Sequence, residues 1–215
     1  MNRALLHPAA KPLAWLLVLA PFGWLAFGAL AGTLGSNPAE TLIRSTGDWT
    51  LRLLCLTLAV TPLRQATGWQ ALARYRRLLG VASFCYALLH FACYAWLDMG
   101  LVVDDIVRDI AKRPFILVGA STLLLMLPLA ATSLDRAIKA LGARRWQALH
   151  RAVYVIAPLA VLHFFWMRAG KNDFAEVGVY AAVVVLLLGW RLFKRAAPRT
   201  ARPTPARAAV RTPPV

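Results

Sequence analysis

The sequence predicts an all-α integral membrane protein, a six-transmembrane-helix bundle with N- and C-termini cytoplasmic. Three observations predict it. Of 215 residues, 60% are hydrophobic, and they gather into six runs close to the about 20 residues a helix needs to cross the hydrocarbon core. Basic clusters rather than soluble-domain sequence separate those runs, a pattern foreign to a globular domain. Charge is also one-sided, with a formal net charge of +16 carried unevenly between the connections.

Taken in order, the predicted spans are 13–32, 48–63, 78–97, 114–132, 149–168 and 174–193. The first contains Ala29, Leu30 and Ala31, a triplet like a signal-peptidase site. Its apolar region of about 18 residues exceeds the about 7–15 of a signal peptide, so a retained helix is expected. The second is the weakest, being short and carrying Arg52. Pro62, Pro128 and Pro158 fall in or at the ends of spans, where each removes a backbone donor and kinks or loosens its helix. Between spans three and four, Val102, Val103, Ile106, Val107 and Ile110 recur at helical spacing, with Asp104, Asp105, Arg108 and Asp109 opposite. That pattern predicts a short helix on the outer membrane surface. On the inner side, Ser133 is an expected N-cap for a helix through Leu134, Ile138 and Leu141, ending at Gly142. Residues 1–12 form a cytoplasmic N-terminus, 13–195 the membrane domain, and 196–215 an Ala/Pro/Arg/Thr-rich basic cytoplasmic tail expected to be disordered.

The basic residues decide the orientation. With the N-terminus inside, 18 of the 25 Lys and Arg residues fall on inner segments, and eight of the nine acids fall outside, Asp135 excepted. The Lys/Arg bias alone sets the topology, because acids contribute little to the rule. The positive charge is therefore a topology signal and a contact for anionic lipid headgroups. It is not a nucleic-acid footprint. Trp49, Trp69, Trp96, Trp146, Trp166 and Trp190 lie near span ends, as an aromatic belt would place them. Cys55, Cys85 and Cys93 lie within spans without a Cys-x-x-Cys pair, and read as packing residues rather than a disulfide framework or zinc site.

His90, His150 and His163 stand inside this apolar sequence. An ionisable ring is costly in hydrocarbon, so such histidines read as functional, and imidazole is a common axial ligand of haem iron. Spans three and five both run outward, so depth follows from counting. His90 lies about 20 Å beyond Arg77 and His163 about 18 Å beyond Arg151, at 1.5 Å per residue. Equal depth makes them the expected axial pair of an outer haem. His150 lies about 20 Å nearer the cytoplasm than His163, at the level of Arg76 and Arg77 on span three. It is the candidate ligand of a second, inner haem; Arg76 and Arg77 read equally as partners of its propionates and as positive-inside anchors of span three. No histidine stands opposite it. On an ideal helix His150 and His163 would point about 140° apart, and unwinding at Pro158 is the expected remedy. His7, before Pro8, reads as a surface residue.

These residues carry a resemblance. The segments RRLLGVASFCYALLH (76–90) and TSLDRAIKALGARRWQALHRAVYVIAPLAVLHFFW (132–166) resemble the MsrQ family, formerly YedZ. The Leu-His-Arg-x-x-Tyr element at 149–154, followed by Leu-His-Phe at 162–164, is its most specific part, and the similarity reaches nearly the whole chain except the tail. The wider relatives are ferric-reductase-like transmembrane domains, including NADPH oxidases. The resemblance implies a multi-pass protein of the bacterial inner membrane holding haem b, one or two per chain, with His90, His150 and His163 as haem-linked histidines. It implies a non-catalytic electron-transfer subunit of a protein-methionine-sulfoxide reductase complex. Its electrons would come from the quinone pool or a cytosolic flavin reductase and pass to the periplasmic molybdopterin subunit MsrP. FMN is expected from the resemblance only, and no residue pattern locates it or a quinone.

NADPH oxidases and ferric reductases carry a flavin and nicotinamide domain after the last span. Here about 20 residues follow, without a Gly-x-Gly-x-x-Gly unit. Two other readings compete: a stand-alone haem reductase of ferric iron or oxygen, and a small transporter or proton channel with a histidine relay. The short outer connections disfavour the first, and the position of all nine acids at edges or loops disfavours the second.

Overall fold

The structure, a computed structural model, describes residues 2–170 and 172–196; the basic tail from 197 onward lies outside the described residues. All regular elements among the described residues are helical. In chain order they are α1 (Asn2–Leu6), α2 (Ala10–Leu30), α3 (Pro38–Thr67), a 3₁₀ turn (Gln70–Arg74), α4 (Tyr75–Cys93) and a π-helical turn (Tyr94–Asp98). Then follow α5 (Val103–Lys112), α6 (Pro114–Ala131), α7 (Asp135–Leu149), a 3₁₀ turn (His150–Ala152), α8 (Val153–Ala169) and α9 (Ala175–Ala196).

Among the described residues, five helical stretches are long and apolar enough to cross a membrane: Ala10–Leu30, Gln70–Asp98, Pro114–Ala131, Asp135–Ala169 and Ala175–Lys194. This is a multi-pass membrane protein. The second expected span is not among the five, although α3 is 30 residues long. It begins at Pro38 rather than 48 because Asn37 caps it, its Oδ1 accepting the Glu40 amide at 3.1 Å, with proline at the first helical position. Glu40, Arg44, Asp48 and Arg52 then follow at four-residue spacing down one face. Several of these charges have partners. Arg44 pairs with Glu40 at 2.5 Å, while Arg52 donates to the Tyr180 hydroxyl at 3.2 Å and lies over the Trp49 ring.

α4 packs on both α3 and α6, and α8 packs on the same two helices, so α4 and α8 face one another across the bundle. α9 closes the gap between α8 and α3, and α2 lies outside against α3 and α4. Leu54, Leu58, Met126, Ile156, Ala157 and Phe164 form the centre of the main core. A second cluster seats Val18 of α2 against Leu53, Leu78, Ala82 and Tyr86. Here the Tyr86 hydroxyl donates to the Val18 carbonyl at 2.8 Å and accepts from the Phe22 amide at 3.0 Å. It thus inserts into the α2 ladder beside Pro21, where a backbone donor is missing.

Four local expectations meet different outcomes. The helix expected between spans three and four appears as α5, with Val103 and Val107 exposed. Asp109, assigned to its polar face, instead turns inward: its side chain accepts from the Tyr94 hydroxyl at 2.7 Å and pairs with Arg113 at 2.6 Å. An apolar and polar division along one helix does not register a buried tyrosine on another. Ser133 does not cap α7; its hydroxyl donates back to the Leu129 carbonyl at 2.7 Å. The helix does break at Gly142, whose φ of 72° and ψ of 155° take the chain out of helical geometry. Finally, α8 continues through Pro158, and the tightening lies at His150–Ala152 instead. Three residues at about 120° per residue in place of 100° bring the His150 and His163 directions to about 80° apart.

A candidate ligand site between His90 and His163

His90 on α4 and His163 on α8 project toward each other between the two flanking helices. Their ring centroids are 6.1 Å apart and the ring planes are inclined at 75°. Each ring is held from the side by the neighbouring helix. His90 Nδ1 lies 2.8 Å from the Ile43 carbonyl of α3, and His163 Nδ1 lies 2.6 Å from the Phe115 carbonyl of α6. A carbonyl only accepts, so each bond requires the Nδ1–H tautomer and leaves Nε2 as the ring nitrogen with a free lone pair. The Phe115 ring stacks alongside His163, 6.2 Å centroid to centroid. Both histidines line one cavity of about 500 Å³, whose deeper wall is Leu51, Leu54, Leu123 and Met126.

The mouth of this cavity is polar. Arg44 and Arg113 line it, each tied to a carboxylate one helical turn earlier: Arg44 to Glu40 at 2.5 Å and Arg113 to Asp109 at 2.6 Å. Asp48, Asp98 and Tyr94 complete the rim. The arrangement suits a flat apolar ligand that carries nitrogen-binding metal at its centre and anionic groups at one edge.

A second cavity, of about 550 Å³, lies toward the other end of the bundle. Leu54 and Met126 line both cavities and form the wall between them, among the described residues. His150 lines this second cavity with Arg76, Arg77, Arg151 and Arg191, and no other histidine joins it there. Its ring stacks on Trp146, centroids 4.0 Å apart, and its Nδ1 lies 3.0 Å from the Trp146 carbonyl. Arg77 pairs with Asp135 at 2.5 Å across the α3–α4 and α6–α7 ends. Arg191 donates to the Leu58 carbonyl at 2.8 Å. The structure therefore brings His90 and His163 together, sets His150 apart from them, and places Arg76 and Arg77 beside His150.

Sequence reading missed Arg44, Arg113 and Arg191 as cavity residues. Only Arg191, between Trp190 and Leu192, carried the signal that marked Arg52, an arginine inside an apolar run. Trp146 read as a belt residue; its indole instead donates to the Thr132 carbonyl at 2.9 Å and its face carries His150. Ile43 and Phe115 left no trace in sequence, because they act through backbone oxygens that every residue possesses.

Residues 46–161 match the family model described as ferric reductase like transmembrane component. Across most of its length the chain is also similar to proteins named protein-methionine-sulfoxide reductase heme-binding subunit MsrQ. The relative from Polaromonas naphthalenivorans (strain CJ2) is 63% identical over 189 residues, covering 88% of this chain and 86% of that protein. That from Ralstonia nicotianae is 52% identical over 185 residues, covering 86% and 85%. That from Xanthomonas campestris pv. campestris is 44% identical over 209 residues, covering 92% and 94%. The matched segment contains Gly47, His90, Phe115 and His150, and the longer similarities extend past His163. On this fold and these similarities, the chain belongs to the MsrQ family of ferric reductase like transmembrane components.

Proposed function

We propose that this protein is the haem b electron-transfer subunit of a methionine sulfoxide reductase system, with one haem held between His90 and His163. The observation that carries this reading is the 6.1 Å separation of the two ring centroids, each Nδ1 being occupied by a backbone carbonyl. His90 and His163 would hold the haem iron, since two metal–imidazole bonds of about 2 Å and about 1 Å from each nitrogen to its ring centre would fit this separation. The carbonyl bonds orient the rings and raise their basicity, as partners of metal-bound histidine do. Arg44 and Arg113 at the mouth supply cations for two propionates, and the apolar wall excludes water from the ring faces. When bound, the haem supplies a one-electron iron couple in the outer half of the bilayer.

The same reading gives six spans, with α3 as the sixth despite its charged stripe, and both termini in the cytoplasm of a bacterium whose inner membrane holds the protein. The Lys/Arg bias supports that orientation. Electrons enter from the quinone pool or a cytosolic flavin reductase and leave to the periplasmic molybdopterin subunit MsrP, which reduces methionine sulfoxide in oxidised proteins. The membrane domain is 13–195. A second haem belongs in the inner cavity on His150, with Arg76 and Arg77 beside its propionates; Arg77 would then share its charge with Asp135. The relatives' name, heme-binding subunit, supports haem. FMN belongs to this proposal through family resemblance alone, with no residues assigned.

The test is the visible spectrum of protein purified from haem-replete cells. A b-type spectrum that changes on dithionite reduction, followed by reoxidation on addition of the molybdopterin subunit and a sulfoxide substrate, is the expected result. Colourless protein rejects the proposal. Timing haem reduction in vesicles by a quinol and by a flavin reductase separates the two donors.

A further inference from the structure

We infer that Gly47 and Gly119 are positioning residues that set the seat and the donor strength of the two imidazoles; this rests on the reading of His90 and His163 as axial ligands. The same small device occurs twice. On α3, the Ile43 carbonyl takes the His90 Nδ1 hydrogen, and one helical turn further along the same face stands Gly47. On α6, the Phe115 carbonyl takes the His163 Nδ1 hydrogen, and one turn further stands Gly119.

The rings lie against these glycines. A Cβ added at Gly119 would stand 2.7 Å from His163 Cε1, 2.8 Å from Nδ1 and 3.2 Å from Nε2. One added at Gly47 would stand 3.2 Å from both Cε1 and Nδ1 of His90. Neither glycine has a positive φ, so backbone conformation does not require them. Glycine inside a helix costs about 1 kcal/mol relative to alanine, and close approach of the ring is what it provides here. Other helical glycines differ: Gly23, Gly178 and Gly189 have nothing within 4 Å of an added Cβ, Gly80 meets one Thr57 methyl at 3.5 Å, and Gly28 meets the side chains of Leu34 and Thr33.

A methyl group at either seat pushes the ring away from the carbonyl that orients it. The weakened Nδ1–H···O=C bond lowers the basicity of the ring. A weaker nitrogen donor stabilises ferric iron less, so the outer haem becomes easier to reduce. The closer contact makes Gly119 the more sensitive position.

Full-length protein carrying Gly119→Ala, Gly47→Ala or Gly178→Ala is purified, and its haem content, low-spin EPR signature and midpoint potential are measured. Gly119→Ala is expected to raise the potential and convert part of the haem to a high-spin form. Gly47→Ala is expected to shift the potential the same way but less, with Gly178→Ala at the wild-type value. A wild-type signature and potential in haem-loaded Gly119→Ala overturn the inference, as does an equal shift in Gly178→Ala. If Gly119→Ala fails to accumulate, Gly47→Ala decides, because the 3.2 Å contacts need only a few tenths of an ångström of give; an unmoved potential there overturns the inference. Wild-type protein without a bis-imidazole haem overturns the ligand reading itself, whereas wild-type haem with unmoved glycine variants overturns only the role of the glycines.

Discussion

His163 and Phe115 are joined by a 2.6 Å hydrogen bond from the imidazole Nδ1 to a backbone carbonyl, and His90 is joined to Ile43 in the same way at 2.8 Å. Two histidines on facing helices are thereby locked into one tautomer by two different neighbours. Each of these two half-buried rings keeps Nε2 as its free nitrogen donor.

Removing either donor should remove the ligand between them. His163→Ala and His90→Ala are each expected to lose the bis-imidazole haem signal and electron delivery to the periplasmic subunit. Haem content and activity at wild-type level in His163→Ala would show that the two rings are not its ligands.

His150 lines a different cavity, behind the wall of Leu54 and Met126. His150→Ala should therefore spare the outer haem, which would keep its low-spin spectrum in the purified variant. Loss of all haem from this variant would contradict a two-level arrangement.

Arg44 and Arg113 should act on retention rather than ligation. The double variant Arg44→Gln, Arg113→Gln is expected to release haem to apomyoglobin faster than wild type, since charge-assisted bonds of about 1.5–3 kcal/mol each are lost. Its iron should keep the same axial ligands. An unchanged release rate would remove the two arginines from the site.

Tyr86→Phe tests the fold rather than the site. It leaves the half-buried Phe22 amide without its side-chain acceptor beside Pro21, at a cost of about 1 kcal/mol for the lost hydrogen bond. A lower Tm in detergent is expected, with haem ligation intact. A Tm equal to wild type would show that the α2 ladder closes without the hydroxyl.

Much of this architecture was legible along the chain. Apolar run length marked the spans that α2, α4, α6, α8 and α9 occupy, and two segments, 76–90 and 132–166, were enough to place the chain in its family. Gly142 announced a helix end. Where reading failed, the cause was a contact between helices. Asp109 looked solvated because its partner Tyr94 lies on another element, and α3 looked weak because Arg52 is satisfied by Tyr180 and Trp49.

By itself, the sequence determined membrane class and the shared level of His90 and His163 along their helices. Rise per residue is constant in a helix, so counting from Arg77 and from Arg151 places His90 and His163 at one level whatever the helices do around them. Only the tertiary structure decided what meets each ring. Whether Ile43 and Gly47, or Phe115 and Gly119, face an imidazole depends on how neighbouring helices rotate and cross. Those relations are set by packing across the bundle, and no periodicity within one helix records them.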